Sequence, residues 1–127
     1  MSLPGKYLLP DRSSAIGSKS DVEPACRDIV SLVGSTFGVA LSDLRATSRK
    51  SAATAFARQV AMYLAHVELG LSLSTVAAQF YRDRTTVAYA CRRIEDRRDD
   101  AAFDKTLMCL TEAMAARRQG FEATSTK

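Results

Sequence analysis

Residues 71–95, LSLSTVAAQFYRDRTTVAYACRRIE, constrain the fold more than any other part of this chain. Apolar side chains recur at helical spacing on both sides of a short polar break: Leu73, Val76, Ala77 and Phe80 before it, Val87, Cys91 and Ile94 after it. Two short amphipathic helices joined by so tight a turn bury their apolar faces together, which is the helix-turn-helix arrangement, here spanning 72–98. Ser72 stands where an N-cap is needed for the first helix and Asp83 where one is needed for the second. At 100° per residue, Cys91, Ile94 and Arg98 stay within about 40° of Val87, so that side faces a core. Thr85, Tyr89 and Arg92 lie opposite, flanked by Thr86, Ala88 and Arg93.

The outward face therefore opens with small hydroxyl residues and continues with arginines, which suits a helix entering a DNA major groove N-terminus first. Thr85 and Thr86 can meet base edges or a thymine methyl, and Arg84 can reach guanine bidentately. Asp83 has two readings at this stage, a cap alone or a cap that also accepts from a cytosine amino group. Arg92 and Arg93 read as phosphate contacts or as solvated surface charge, and the run 96–100 reads as a helix end. The net charge of +4 says little by itself, but its placement does. Arg82, Arg84, Arg92, Arg93, Arg97 and Arg98 outnumber Asp83, Glu95 and Asp96 in this segment, and Arg45, Arg49, Lys50 and Arg58 cluster upstream without an acid between them. Clustered positive charge attracts a polyanion and releases its counterions on binding.

The remaining chain frames this segment. Residues 1–22 carry Pro4, Gly5, Pro10, Gly17 and several serines without a period, and are expected to form a flexible tail. A helical domain is expected over 23–118. Its first helix carries Cys26, Ile29, Val30, Val33 and Phe37 and stops at Gly38. A short turn capped by Ser42 follows, then a polar basic loop over 46–51. A helix over about 52–69 is apolar on more than one face and hence central, and Gly70 closes it. A last helix over about 101–118 carries the stripe Phe103, Leu107, Leu110 and Met114, read as packing on the domain's own core. Residues 119–127 are expected to be a second flexible tail. The expected fold is all-α, with five to six helices.

Several chemistries find no residues to perform them. Cys26, Cys91 and Cys109 form neither a disulfide framework nor a metal knuckle and read as small core residues. His66 is the one histidine and has no metal-ligand spacing to a partner. No G-x-x-x-x-G-K-[ST] phosphate loop is present, so no nucleotide is implied. No apolar run approaches the roughly 20 residues of a membrane helix. The expected protein is not an enzyme, needs no metal or cofactor, and is located in the cytoplasm on the nucleoid.

A second half of the pattern joins the first. Arg49-Lys50-Ser51, Arg58-Gln59-Val60-Ala61-Met62-Tyr63-Leu64, Ser72-Leu73, Arg82-Asp83, Thr85-Thr86-Val87 and Ala90-Cys91-Arg92-Arg93-Ile94-Glu95 occur in this order. Over about residues 28–100 the chain thus resembles the C-terminal DNA-binding domain of the bacterial replication initiator DnaA. That family carries a basic loop, an Arg-Gln helix start, and a signature close to Gly-Arg-Asp-His-Thr-Thr-Val followed by His-Ala-Cys-Arg-Lys-Ile-Glu. The resemblance implies a Trp-repressor-like helical domain that reads the major groove with residues 84–98 and the minor groove with the loop 46–51. Carried over by position, Lys50 is the minor-groove residue, Arg58 and Gln59 touch the DNA backbone, and Arg84, Thr85 and Thr86 face bases. Arg49, Ser51, Arg82, Asp83, Tyr89, Arg92 and Arg93 complete the candidate DNA-binding set.

Three differences from the family point to a divergent DNA site. Arg84 replaces a histidine, Lys50 and Ala52 replace basic residues of the loop, and the turn is one residue shorter, with Tyr81 in place of a glycine. The expected function is sequence-specific binding of double-stranded DNA in the regulation of transcription or replication initiation. A second copy of the chain, or a replication or transcription protein, is a further expected partner. The alternative is a protein–protein adaptor built on the same helical domain, using the 103–114 stripe and Tyr89.

Overall fold

The computed structural model describes residues 21–44 and 51–125. Every regular element among them is helical: α1 (Val22–Phe37), α2 (Leu41–Leu44), α3 (Ala52–Val67), α4 (Leu73–Phe80), α5 (Arg84–Arg97) and α6 (Ala101–Ser125). The all-α expectation holds, and six helices are present among the described residues.

α3 is the centre because it is apolar almost all round. Ala57, Val60, Ala61, Met62, Tyr63, Leu64 and Ala65 are all buried, and the helix packs most extensively on α5 and α1. Ala57, Ala61 and Ala65 repeat every fourth residue, and small residues at that spacing let neighbouring helices approach closely. α1 contributes Cys26, Ile29, Val30 and Val33 to the same core. It ends where expected, at Gly38, whose φ of 68° is left-handed. The Gly34 carbonyl accepts from the N–H groups of both Gly38 and Val39, the Schellman closure that glycine makes without a Cβ penalty.

The other boundaries follow local chemistry. α2 starts at Leu41, where the N–H groups of Asp43 and Leu44 donate to the Ala40 carbonyl at 3.1 and 3.3 Å, so Ser42 lies inside the turn instead of capping it. α3 ends at Val67, and the chain reverses through Gly70 at φ 74°. His66 Nδ1 sits 2.7 Å from the Leu71 carbonyl oxygen, which makes this histidine a tie across the reversal. In α6 the stripe Phe103, Leu107, Leu110 and Met114 is buried against the domain's own core, and Arg117 pairs with Asp28 of α1. α6 continues to Ser125, seven residues past the expected end. Cys26 and Cys91 are core residues as read, but Cys109 is exposed, because it falls one position before the buried Leu110 on a helix with a single apolar face.

Candidate nucleic-acid interface

Four residues set the geometry of the α4–α5 unit. The Ser72 hydroxyl accepts from the Thr75 N–H at 3.1 Å and so caps α4, as the sequence pattern requires. α4 ends at Tyr81, which takes the left-handed conformation at φ 56° and ψ 46°. The Ala77 carbonyl accepts from the N–H of Tyr81 and, at 3.0 Å, from that of Arg82. This is the closure seen at Gly38, made here with a tyrosine. Arg82 then folds its guanidinium back on the turn, donating to the carbonyls of Phe80 at 3.3 Å and Tyr81 at 3.0 Å. Asp83 occupies the N-cap position of α5 with extended backbone, and its carbonyl accepts from the Val87 N–H at 3.1 Å. Its carboxylate makes no capping hydrogen bond, so the side-chain cap read from the sequence is corrected: only the backbone of Asp83 starts the helix.

α5 divides as its periodicity demands. Val87, Ala90, Cys91 and Ile94 are buried, whereas Asp83, Arg84, Thr85, Thr86, Tyr89, Arg92 and Arg93 are exposed. Burying Val87 and Ile94 stabilises the unit by roughly 1.5–3 kcal/mol each relative to exposure. Burial, and after it the nearby Glu95 carboxylate, pushes the Cys91 thiol up to about 12, so this cysteine serves as an inert apolar filler. The exposed residues of α5 and its N-cap include three arginines, Arg84, Arg92 and Arg93, two threonines, Tyr89 and the carboxylates of Asp83 and Asp96.

The far end of α5 is held by polar bonds that no local pattern announced. The Tyr63 hydroxyl donates to Glu95 and accepts from Arg98 at 3.1 Å, and Arg98 Nε donates to Asp104 at 2.6 Å. α3, α5 and α6 are thereby joined at one point. Burial and the Glu95 bond raise the Tyr63 phenol well above its ordinary range. Burial opposes the charge on Arg98, but its bonds to Asp104 and Tyr63 outweigh that and hold it protonated. Beside this network the Arg97 guanidinium lies 4.9 Å from the ring centre of Phe56 and 5.6 Å from that of Phe103, a cation–π contact that engages another arginine with the fold.

The upstream candidates are placed differently from one another. Arg58 is buried, with Nε donating to the Leu44 carbonyl and a terminal nitrogen to that of Asp43, both at 2.9 Å. It therefore ties the start of α3 to the end of α2. Gln59 is half-buried beside it. Ser51 caps α3, accepting from the Thr54 N–H at 3.1 Å. Arg49 and Lys50 lie outside the described residues. The structure leaves Asp83, Arg84, Thr85, Thr86, Tyr89, Arg92 and Arg93 exposed, the first two at the N-terminal end of α5 and the others along its outward side, turns Arg82 toward its own turn, and turns Arg58 inward.

Two amphipathic helices closed by a left-handed turn, docked on a central helix and presenting a polar, basic outer face, define a helix-turn-helix domain. The family described as bacterial dnaA protein helix-turn-helix matches residues 26–94, more than half of the chain. This chain belongs to that family. It is 39% identical over 82 residues to the chromosomal replication initiator protein DnaA 2 of Chlamydia muridarum, covering 65% of this chain and 18% of that protein. It is 43% identical over 67 residues to the protein of the same name from Chlamydia pneumoniae, covering 53% and 15%. With the DnaA of Bifidobacterium animalis subsp. lactis it shares 37% identity over 79 residues, covering 61% and 13%. The chain thus spans less than a fifth of the length of these initiators. The family is a helix-turn-helix family, not a catalytic one. Among the described residues no helix is long and apolar enough to cross a membrane, and no cluster of His, Cys, Asp and Glu could hold a metal ion.

Proposed function

We propose that this chain binds double-stranded DNA in a sequence-specific manner, as a regulator of replication initiation or transcription. The observation that carries the proposal is the outward face of α5, where Arg84, Thr85, Thr86, Tyr89, Arg92 and Arg93 are all exposed while every large apolar residue of the helix except Tyr89 is buried. α5 enters the major groove by its N-terminal end. Arg84, Thr85 and Thr86 meet base edges, and Arg92 and Arg93 meet phosphates. Asp83 has a carboxylate free of the cap and accepts from a cytosine amino group. Lys50, with Arg49, enters the adjacent minor groove. Arg82 and Arg58 act indirectly, the first by closing the turn and the second by tying the start of α3 to the end of α2, and Gln59 and Ser51 stand at the DNA backbone beside them. Membership in a replication-initiator family supports the initiation setting.

Duplex binding by fluorescence anisotropy tests this. The wild-type chain is expected to bind, to weaken steeply with salt, and to lose sequence discrimination when Thr85 and Thr86 are both replaced by alanine. A wild-type chain that binds no duplex at low salt would falsify the proposal and leave the adaptor reading. That reading has little surface of its own, since the stripe at 103–114 is occupied by the domain core.

A further inference from the structure

The two left-handed helix ends of this domain are built alike and filled differently. At Gly38 and at Tyr81 one carbonyl, of Gly34 or Ala77, accepts from two successive N–H groups as the chain turns. Glycine adopts this conformation freely, but a side chain with a Cβ is strained in it, and an aromatic one is a genuine outlier. Tyr81 is the sole non-glycine residue with positive φ among the described residues. Within the fold its side chain contributes nothing to offset that strain. The side chain is 62% exposed, so burial does not, and its hydroxyl has no hydrogen-bond partner among the described residues. The turn is nevertheless held firmly in this shape by the Ala77 closure and by the Arg82 guanidinium on the carbonyls on either side. A strained residue that the surrounding structure holds in place, at the edge of a binding face, points to use in binding.

Its position says which use. Tyr81 lies two residues before the N-cap of α5, outside the helix and at the end that leads into the groove. Residues there meet the sugar-phosphate rim, and a tyrosine hydroxyl is a good donor to a phosphate oxygen. We infer that Tyr81 is a DNA-backbone contact residue, donating its hydroxyl proton as a hydrogen bond to a phosphate that borders the major groove. This rests on the DNA-binding reading above. It adds a sequence-independent anchor that the glycine of the family's usual turn cannot make.

The inference has an unusual signature, because one substitution should improve the fold and harm the binding. In the full chain, Tyr81→Gly is expected to raise the melting temperature by about 3–6 °C through relief of strain. The same variant is expected to weaken binding to a mixed-sequence duplex by about 3- to 10-fold. Tyr81→Phe keeps the ring and the backbone and removes only the donor. It should melt with the wild type and still lose about the same affinity. Because the lost donor is uncharged, the slope of log affinity against log salt should not change in either variant, unlike the loss of a lysine or arginine contact. Wild-type affinity in Tyr81→Phe overturns the assignment whatever Tyr81→Gly does to stability. Failure of the wild-type chain to bind the duplex is a different result, which removes the DNA reading itself and the assignment with it.

Discussion

The Tyr63 hydroxyl accepts a 3.1 Å hydrogen bond from Arg98, across 35 residues of sequence, and joins the middle of α3 to the end of α5. The tyrosine hydroxyl in turn donates to Glu95, and Arg98 Nε donates to Asp104, so the pair is the hub of a four-residue network. The apolar residues of α5 fix which face points inward. This network ties the distal end of α5 to α3 and α6. Removing the hydroxyl leaves Glu95 and Arg98 3.8 Å apart and able to pair directly, so part of the network survives. Tyr63→Phe is therefore expected to cost about 1–2 kcal/mol, lowering the melting temperature by about 4–10 °C. A variant as stable as the wild type by thermal denaturation would show the network to be incidental.

Alkaline pH should loosen the same region. Cys91 is pushed up to about 12 from an ordinary 9.0, and the Tyr63 phenol is raised as well, in both instances first by burial. The unfolded chain releases these protons at lower pH than the folded one, so the folded state binds more protons in the interval between. The resulting stability is complete below about pH 9 and is lost as pH rises toward 12. Urea midpoints are expected to hold steady from about pH 7 to 8.5 and to fall by about pH 10.5. Cys91→Ala should make that fall shallower, whatever it does to the midpoint at neutrality. An unchanged slope in the variant would remove Cys91 from the account.

Arg92 and Arg93 are exposed side chains on the outward face, and under the proposed function each meets a phosphate. Replacing either by alanine should weaken binding about equally for all duplex sequences. It should also reduce the slope of log affinity against log salt by about 0.9 per lost contact. Arg97→Ala is the control, since that guanidinium lies over Phe56 and Phe103. If all three variants changed the slope alike, the charge would be acting as a diffuse field and not through placed contacts.

Arg84 is the first residue of α5, exposed and without a partner among the described residues. A guanidinium there fits the O6 and N7 of guanine. Selection from random duplexes is expected to return sites with a guanine at one fixed position, and Arg84→Ala should lose about 1–3 kcal/mol of preference for it. Sites that remain unchanged in the alanine variant would assign Arg84 to the backbone instead.

The fold and the front of the site were legible because both depend on spacing within one short segment. Val87, Cys91 and Ile94 recur at helical intervals, so the opposite side of α5, with Thr85 and Arg92, had to face outward. The same reasoning placed Ser72 as a cap and Gly38 as a stop. Surroundings that depend on what lies across the core are not legible in this way. Arg58 reads as a cation for phosphate, and it is buried on carbonyls 14 and 15 residues upstream. Asp83 reads as a side-chain cap, and the backbone alone serves. Cys109 reads as core and is exposed.

The sequence by itself determined that this chain is a bundle of helices with a helix-turn-helix, and which face of α5 is presented, since helical period and side-chain polarity are local properties. Only the tertiary structure decided which arginines are available to a partner. Arg58, Arg82, Arg97 and Arg98 are engaged with carbonyls, aromatic rings or carboxylates of the fold, while Arg84, Arg92 and Arg93 are exposed with no such engagement among the described residues. An arginine carries the same charge wherever it stands in the sequence. Whether Arg58, Arg97 or Arg98 is satisfied is set by carbonyls, rings and carboxylates brought from elsewhere in the chain.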